Sequence, residues 1–271
     1  VKSLFSVLKD TSLVSALEQS ELAVKAAPEN ADKRAEWVQL LLLYGDWPRA
    51  RMHLQAWQAL APLAGPTTQQ LSENLAAELQ REQVFRGDMG PGFVTPPNEW
   101  LLLLAEALRA APQQASELRD RAFDLAVANA GQFSLNGAEE SSAVTHFNWL
   151  ADADSRLGPV CELFLDGRYY WVPFHDIESI QFQPPQNVVH LIWAHAMVKF
   201  RSGKQQVCQI PARYPLTANC DDAHRLGRKT DWQDLSDNGH YAGQGQKSWI
   251  TDEDECALLT LRQIQFTTDE A

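Results

Sequence analysis

The chain is expected to be an α+β protein with segregated halves: N-terminal tetratricopeptide-like helical hairpins, then a mainly antiparallel β-rich domain. Three observations carry that expectation. Apolar residues recur at helical spacing through the first half, and a 34-residue period runs through them. From Gly131 onward, short β-rich runs alternate with tight-turn signals. The boundaries that follow are a helical-repeat domain over 1–130, a linker over 131–145 and a β-rich domain over 146–271.

Leu4, Phe5, Val7 and Leu8 form a short apolar helix that stops at Asp10-Thr11-Ser12. Leu13, Ala16, Leu17, Ser20, Ala23, Val24 and Ala27 mark the next, closed by Pro28. Trp37, Leu40, Leu41 and Tyr44 repeat the stripe, with Gly45 as the stop. Asp46 suits an N-cap and Pro48 a first turn, ahead of Ala50, Leu54, Trp57 and Ala61. Ala16 and Ala50, like Pro28 and Pro62, lie 34 residues apart, the tetratricopeptide length, although only two copies align. Residues 67–85 read as a longer capping helix, and 100–108 with 115–128 as a further hairpin packed on the first ones. Among the nine tryptophans, Trp47 is the one expected to be exposed, as an interface anchor or as a staple under its loop.

The polar stretch 131–145 with its Asn136-Gly137 turn reads as the boundary. Strand-like runs follow at 147–153, 160–165, 168–173, 179–183, 188–200, 205–210 and 258–266. Asp166-Gly167 between two of them is a strong hairpin signal, because both central residues of that turn need positive φ. One irregular step within 258–266 suggests a bulge.

Composition limits the function classes. The net charge of −12 argues against nucleic acid and anionic membranes as partners. Cys161, Cys208, Cys220 and Cys256 show no CxxC pairing and no zinc spacing, which suits a reducing compartment. No apolar run approaches about 18 residues and no signal-peptide layout is present, so a cytoplasmic protein is expected. Arg225, Arg228 and Lys229 form a local basic cluster expected to make ordinary surface contacts, and the acids Asp252 to Glu255 a solvated turn.

The most specific stretch is FNWLADADSRLGPVCELFLDGRYYWVPF, residues 147–174. Together with Pro211-Ala212-Arg213-Tyr214-Pro215 and Lys229-Thr230-Asp231-Trp232, it resembles the core of the ImpE/SciE/TagJ family of type VI secretion accessory proteins. That resemblance covers most of the chain and brings no catalytic signature. It implies a non-enzymatic adaptor without a cofactor. The implied partner is the small sheath protein of the contractile tail, with the ClpV disassembly ATPase as a further associate.

Two sets of residues are candidates for a site. On an extended strand Asp152, Asp154 and Arg156 would share one face. They could ligate a cation or satisfy one another, and Arg156 beside the acids favours a structural polar network. The alternative is a hydrolase or metal-dependent enzyme centred on them, which would need a histidine to converge there. No GxSxG, HExxH, P-loop or GxGxxG motif occurs. The second set lies on residues 37–44, which are apolar nearly all round and therefore contacted on two sides. Repeat geometry turns Asp32, Ala35, Gln39, Leu42 and Leu43 to the concave side, and Gln39, Leu42 and Leu43 are the expected contacts for a partner helix.

Overall fold

The structure, a computed structural model, describes residues 4–137, 144–236 and 239–267. Its helical half runs α1 (Leu4–Asp10), α2 (Leu13–Ala26), α3 (Ala31–Tyr44), α4 (Trp47–Leu60) and α5 (Gly65–Phe85). A two-residue strand β1 (Gly92–Phe93) then precedes α6 (Glu99–Ala107) and α7 (Pro112–Leu125). Local chemistry sets the helix ends. The side chains of Ser12, Asn30, Asp46 and Asn98 each accept a hydrogen bond from an N–H three residues on, and Gly45 closes α3 at φ 92°. Helices α2 to α5 pack in sequence order. The α6–α7 hairpin buries Trp100, Leu101, Leu104 and Ala122 in the same apolar cluster as these helices, and α7 also lies against a hairpin of the β half.

The β half contains β2 (Gly131–Leu135), β3 (Thr145–Phe147), β4 (Leu150–Asp152), β5 (Val160–Leu165), β6 (Arg168–Pro173), β7 (Ile177–Phe182), β8 (Trp193–Phe200) and β9 (Gln205–Pro211). After the short helix α8 (Asp222–Arg225) come β10 (Thr230–Ser236), β11 (His240–Gly245), β12 (Ser248–Thr251), β13 (Glu255–Ala257) and β14 (Leu261–Phe266). Nine strands form one sheet in the order β1-β6-β5-β9-β8-β7-β14-β2-β3, antiparallel except where β1 joins β6. A hairpin β10–β11 and a small sheet β13-β12-β4 complete the half. Asp166 (φ 48°) and Gly167 (φ 74°) make the expected turn between β5 and β6, and β14 slips register between Leu261 and Gln263.

The expected linker is corrected. Gly131–Leu135 is a sheet strand held between β14 and β3, and Phe133 is buried. With Gln132 and Ser134 on its other face, this run is too polar to read as a strand from sequence. Residues 138–143 of that stretch lie outside the described residues.

Side-chain alternation divides the sheet into two faces with two cores. Val160, Phe164, Tyr169, Trp171 and Trp193 point to the helices, and one apolar cluster joins them to Leu42, Trp47, Leu54 and Leu75. Cys161, Leu163, Val172, Ile180, Val198 and Ile210 point the other way, into a second cluster around Trp249. Trp47 is therefore not exposed. It stacks on Trp193 at 6.3 Å and donates to Glu82 Oε1 at 2.6 Å.

Of the expected contacts Gln39, Leu42 and Leu43, the two leucines are corrected as well, while Gln39 is half-buried. Leu42 and Leu43 are 0% exposed and belong to the cluster that includes Val188, Val189, Ile192 and Leu226. The helix does contact two sides, but the second side is this chain's own β half. The segment after β9 also ties down helix ends, where the last carbonyls of a helix lack partners and carry partial negative charge. Arg213 Nη1 donates to Leu43 O at 2.7 Å and Nη2 to Leu42 O at 3.2 Å, and Arg225 donates to Tyr44 O. Arg228 donates to Leu8 O at the end of α1, and Asp222 Oδ2 accepts from Leu13 N at the start of α2. Of the basic cluster expected to make ordinary surface contacts, Arg225 and Arg228 cap helices, while Lys229 pairs with Asp221 and Asp231.

Two outcomes are expected. Arg213→Ala leaves buried carbonyls unsatisfied and should lower the unfolding free energy by about 2–4 kcal/mol, against about 0.5–1 kcal/mol for Arg225→Ala; urea denaturation of both variants checks this. Residues 1–130 alone should show no cooperative thermal transition by circular dichroism, because the covering face of their core is missing.

Candidate functional site

A chain of buried charges crosses the boundary between the halves. Glu78 and Arg81 lie one turn apart on α5 and face Glu162 on the helix-facing side of β5, all three buried. Arg81 Nε donates to Glu162 Oε1 at 2.6 Å, Nη2 to Oε2 at 3.0 Å, and Nη1 to Glu78 Oε1 at 3.1 Å. Lys247 Nζ sits 2.6 Å from Glu162 and 2.5 Å from Asp152. Aromatic donors occupy further lone pairs: Tyr169 OH and Trp193 Nε1 donate to Glu162 and Glu78, and Tyr214 OH to Asp152 at 3.0 Å.

Burial alone would raise the Glu162 carboxyl, but Arg81 and Lys247 overcome it and hold it at about 2. Asp152 must share Lys247 with Glu162. Burial pushes it up to about 6, against the pull of Lys247 and with the repulsion of Asp154 and Glu162.

The DADSR residues do not share a strand face. Asp152 ends β4, and the chain then turns, with Asp154 N donating to Asp152 Oδ1 at 3.0 Å. Arg156 grips Asp154 through Nε at 2.9 Å and Nη2 at 2.5 Å, and Gly243 N donates to the same carboxylate at 3.0 Å. The Arg156 guanidinium lies 4.7 Å over the Phe85 ring. Asp152 and Asp154 are 3% and 0% exposed, so their oxygens are spent on internal donors and cations. Among the described residues no group of three or more His, Cys, Asp or Glu could hold a metal ion. Among the described residues no histidine bonds to these acids.

One constellation escapes sequence reasoning. Ser116 and Asp120, one turn apart on α7, flank His240 of β11: Ser116 Oγ lies 3.1 Å from Nδ1 and Asp120 Oδ1 3.0 Å from Nε2. The residue types are those of a nucleophile triad. Ser116, however, is 1% exposed, which leaves no approach for a substrate, and the set instead pins α7 to the β10–β11 hairpin.

Two of the surface concavities bear on binding. Gln39 lines a polar cavity of about 210 Å³ between α3–α5 and the sheet, with Asn74, His195 and Gln209. An apolar groove of about 390 Å³ runs between the end of α7 and β4, walled by Phe123, Val127, Trp149 and Ile250.

Comparison with known proteins identifies the lineage. Residues 144–265 match the family model of the ImpE protein. Over 270 residues the chain is 35% identical to the type VI secretion system accessory component TagJ of Pseudomonas aeruginosa, covering 98% of this chain and 91% of that protein. The chain belongs to the ImpE family. The crystal structure of protein VPA1032 from Vibrio parahaemolyticus has the same fold, with a TM-score of 0.86 at 26% identity over 98% of this chain and 97% of that one. Asp152, Asp154, Arg156, Glu162 and Lys247 all fall inside the stretch of this ImpE-family chain that the family model matches.

The network has a pH signature. A carboxyl raised from 3.8 to about 6 adds stability that is fully present below pH 3.8 and lost as pH rises through 6. Asp152→Asn removes that ionisation. The stability of the native protein relative to this variant should therefore be greatest near pH 4 and shrink towards pH 7. Chemical denaturation across that range checks it, and a flat difference would show that Asp152 titrates normally.

Proposed function

We propose that this protein is an accessory component of a type VI secretion apparatus, a non-enzymatic adaptor that holds a helical segment of the small sheath protein. The lineage supports the setting, since the Pseudomonas aeruginosa relative is named as such an accessory component. The observation that carries the binding role is the apolar groove beside α7. Val127 is 53% exposed and Trp149 38%, and both line this one concavity, where apolar surface in water is contiguous rather than scattered.

The shape of the groove favours a helix over a strand as occupant. Addition of a strand would need the free backbone edge of β4. That edge is closed, because Asn129 Oδ1 accepts from Leu150 N at 2.7 Å and Asn129 Nδ2 donates to Leu150 O at 3.2 Å. What the groove offers is side chains, the surface into which an amphipathic helix lays its apolar face. The internal pairing of Asp152 and Asp154 supports the non-enzymatic reading. The ClpV ATPase enters as a further associate on the family resemblance, with no surface assigned to it. Four free, buried cysteines suit action in the cytoplasm.

Trp149→Glu and Val127→Glu are each expected to weaken binding of the small sheath protein about thirtyfold, or roughly 2 kcal/mol, the scale of a central interface anchor. Their thermal transitions should move by no more than about 2 °C, as for surface substitutions. Titration calorimetry with the purified sheath protein reads the outcome. Undiminished affinity in both folded variants would remove the groove from the interface, and no binding by the native chain would remove the sheath protein as partner.

A further inference from the structure

Addition of a strand is closed at β4 but open at β10. The β10–β11 hairpin pairs with neither larger sheet. Its β11 side is held: Ser155 N donates to Tyr241 O at 2.9 Å, Tyr241 N to Ser155 Oγ at 3.0 Å, and Gly243 N to Asp154 Oδ2 at 3.0 Å. Helix α7 meets the hairpin near its tip, where His240 is buried and Leu235 half-buried. On the other side of β10 no strand is paired. Among the described residues no backbone group of Asp231, Trp232, Gln233 or Asp234 bonds beyond β11. All four residues are exposed. Successive strand residues face opposite ways, so four exposed in a row leave both faces and the edge between them in water.

A row of free N–H and C=O groups is a template for another chain, and folded proteins commonly shorten or cover such edges. The outermost strands of the two other sheets follow that rule: β1 has two residues, and β3, β4 and β13 have three each. β10 has seven.

What guards this edge is charge, and the charge selects the partner. Alternation puts Asp231 and Gln233 on one face of β10 and Trp232 and Asp234 on the other. Asp231 shares Lys229 with Asp221, whereas Asp234 has neither a hydrogen bond nor an ion pair among the described residues. A second copy of this chain would bring the same acids to the same junction, in a molecule of net charge −12. A strand with Lys or Arg at alternate positions meets the opposite charge instead. Trp232 is 39% exposed and Tyr241, across from Asp234, is 43% exposed. Their rings offer a cation beside Asp234 a second attraction.

We infer that the outer edge of β10 is a second docking site, sharing no residue with the groove beside α7, which takes an extended basic segment of a protein partner as a third strand. Backbone hydrogen bonds attach the segment, and Lys or Arg side chains on the face of Asp234 and Trp232 select it.

A capped peptide of alternating lysine and valine, as long as β10, is the probe, added to the full chain labelled with nitrogen-15. Amide exchange read by nuclear magnetic resonance should slow about tenfold at the outward-facing amides among Asp231 to Asp234, and not elsewhere on the surface. An analogue of equal charge with proline at its centre cannot complete the ladder and should bind about tenfold more weakly, as should a glutamate analogue. Asp234→Lys removes a carboxylate without a partner, so its thermal midpoint should stay where it is while the lysine peptide loses about tenfold in affinity. Equal binding of the proline analogue would reduce the contact to charge attraction and overturn the inference. So would unchanged exchange along β10, indifference to Asp234→Lys, no binding at millimolar peptide, or a dimer of the free chain paired through this edge.

Discussion

Arg81 and Glu162 fix how the two halves meet. The pair sits at the centre of the contact between α5 and β5, with both side chains almost wholly withdrawn from water. Desolvation cancels most of the attraction between such charges, so a buried pair adds little stability over an apolar replacement of the same shape. Its effect lies in what it forbids. If α5 slid or turned on the sheet, Arg81, Glu162 and Lys247 would be stranded without partners, at several kcal/mol each. The apolar residues around them, Trp171, Trp193, Leu75 and Val84, would tolerate several packings; the ions tolerate one.

The helical half depends on the β half for more than burial. Arginines and an aspartate from the segment after β9 satisfy backbone groups at the ends of α1, α2 and α3. In a free-standing helical repeat those positions would face water or a neighbouring repeat. Here the neighbour is a sheet, which accounts for an array with so few helical hairpins. The same arrangement explains why α3 is leucine-rich on both sides. The groove proposed for a partner lies where one layer ends and the other continues, beside α7.

Some elements were legible from the residues alone. Strands β5 and β6 fall where alternation and the Asp166-Gly167 turn place them, and Asp46 and Gly45 mark the helix ends that they cap or close. Other elements were not. β10 to β13 carry short runs such as TDWQDLS and HYAGQG, with too few apolar residues to show a period, since they pair in small sheets that bury polar residues such as His240 and Ser248. Residues 188–191 are as apolar as a strand but form a tight helical turn that presents Val188 and Val189 to α3. Of the candidate site, the sequence singled out Asp152, Asp154 and Arg156 but not the residues that neutralise and position them. Lys247 lies 95 positions from Asp152, and Arg81 lies 81 from Glu162.

The sequence by itself determined the class, the order of helical and strand halves, the family and the apolar character of both faces of α3. Those properties are local, set by periodicity, capping residues and turn chemistry within a few positions of one another. The tertiary structure alone decided what covers each face. It turned Leu42, Leu43 and Trp47 from expected surface into core, and left Trp149 and Val127 outside. A side chain's exposure depends on which distant segment arrives against it, and no local pattern carries that information.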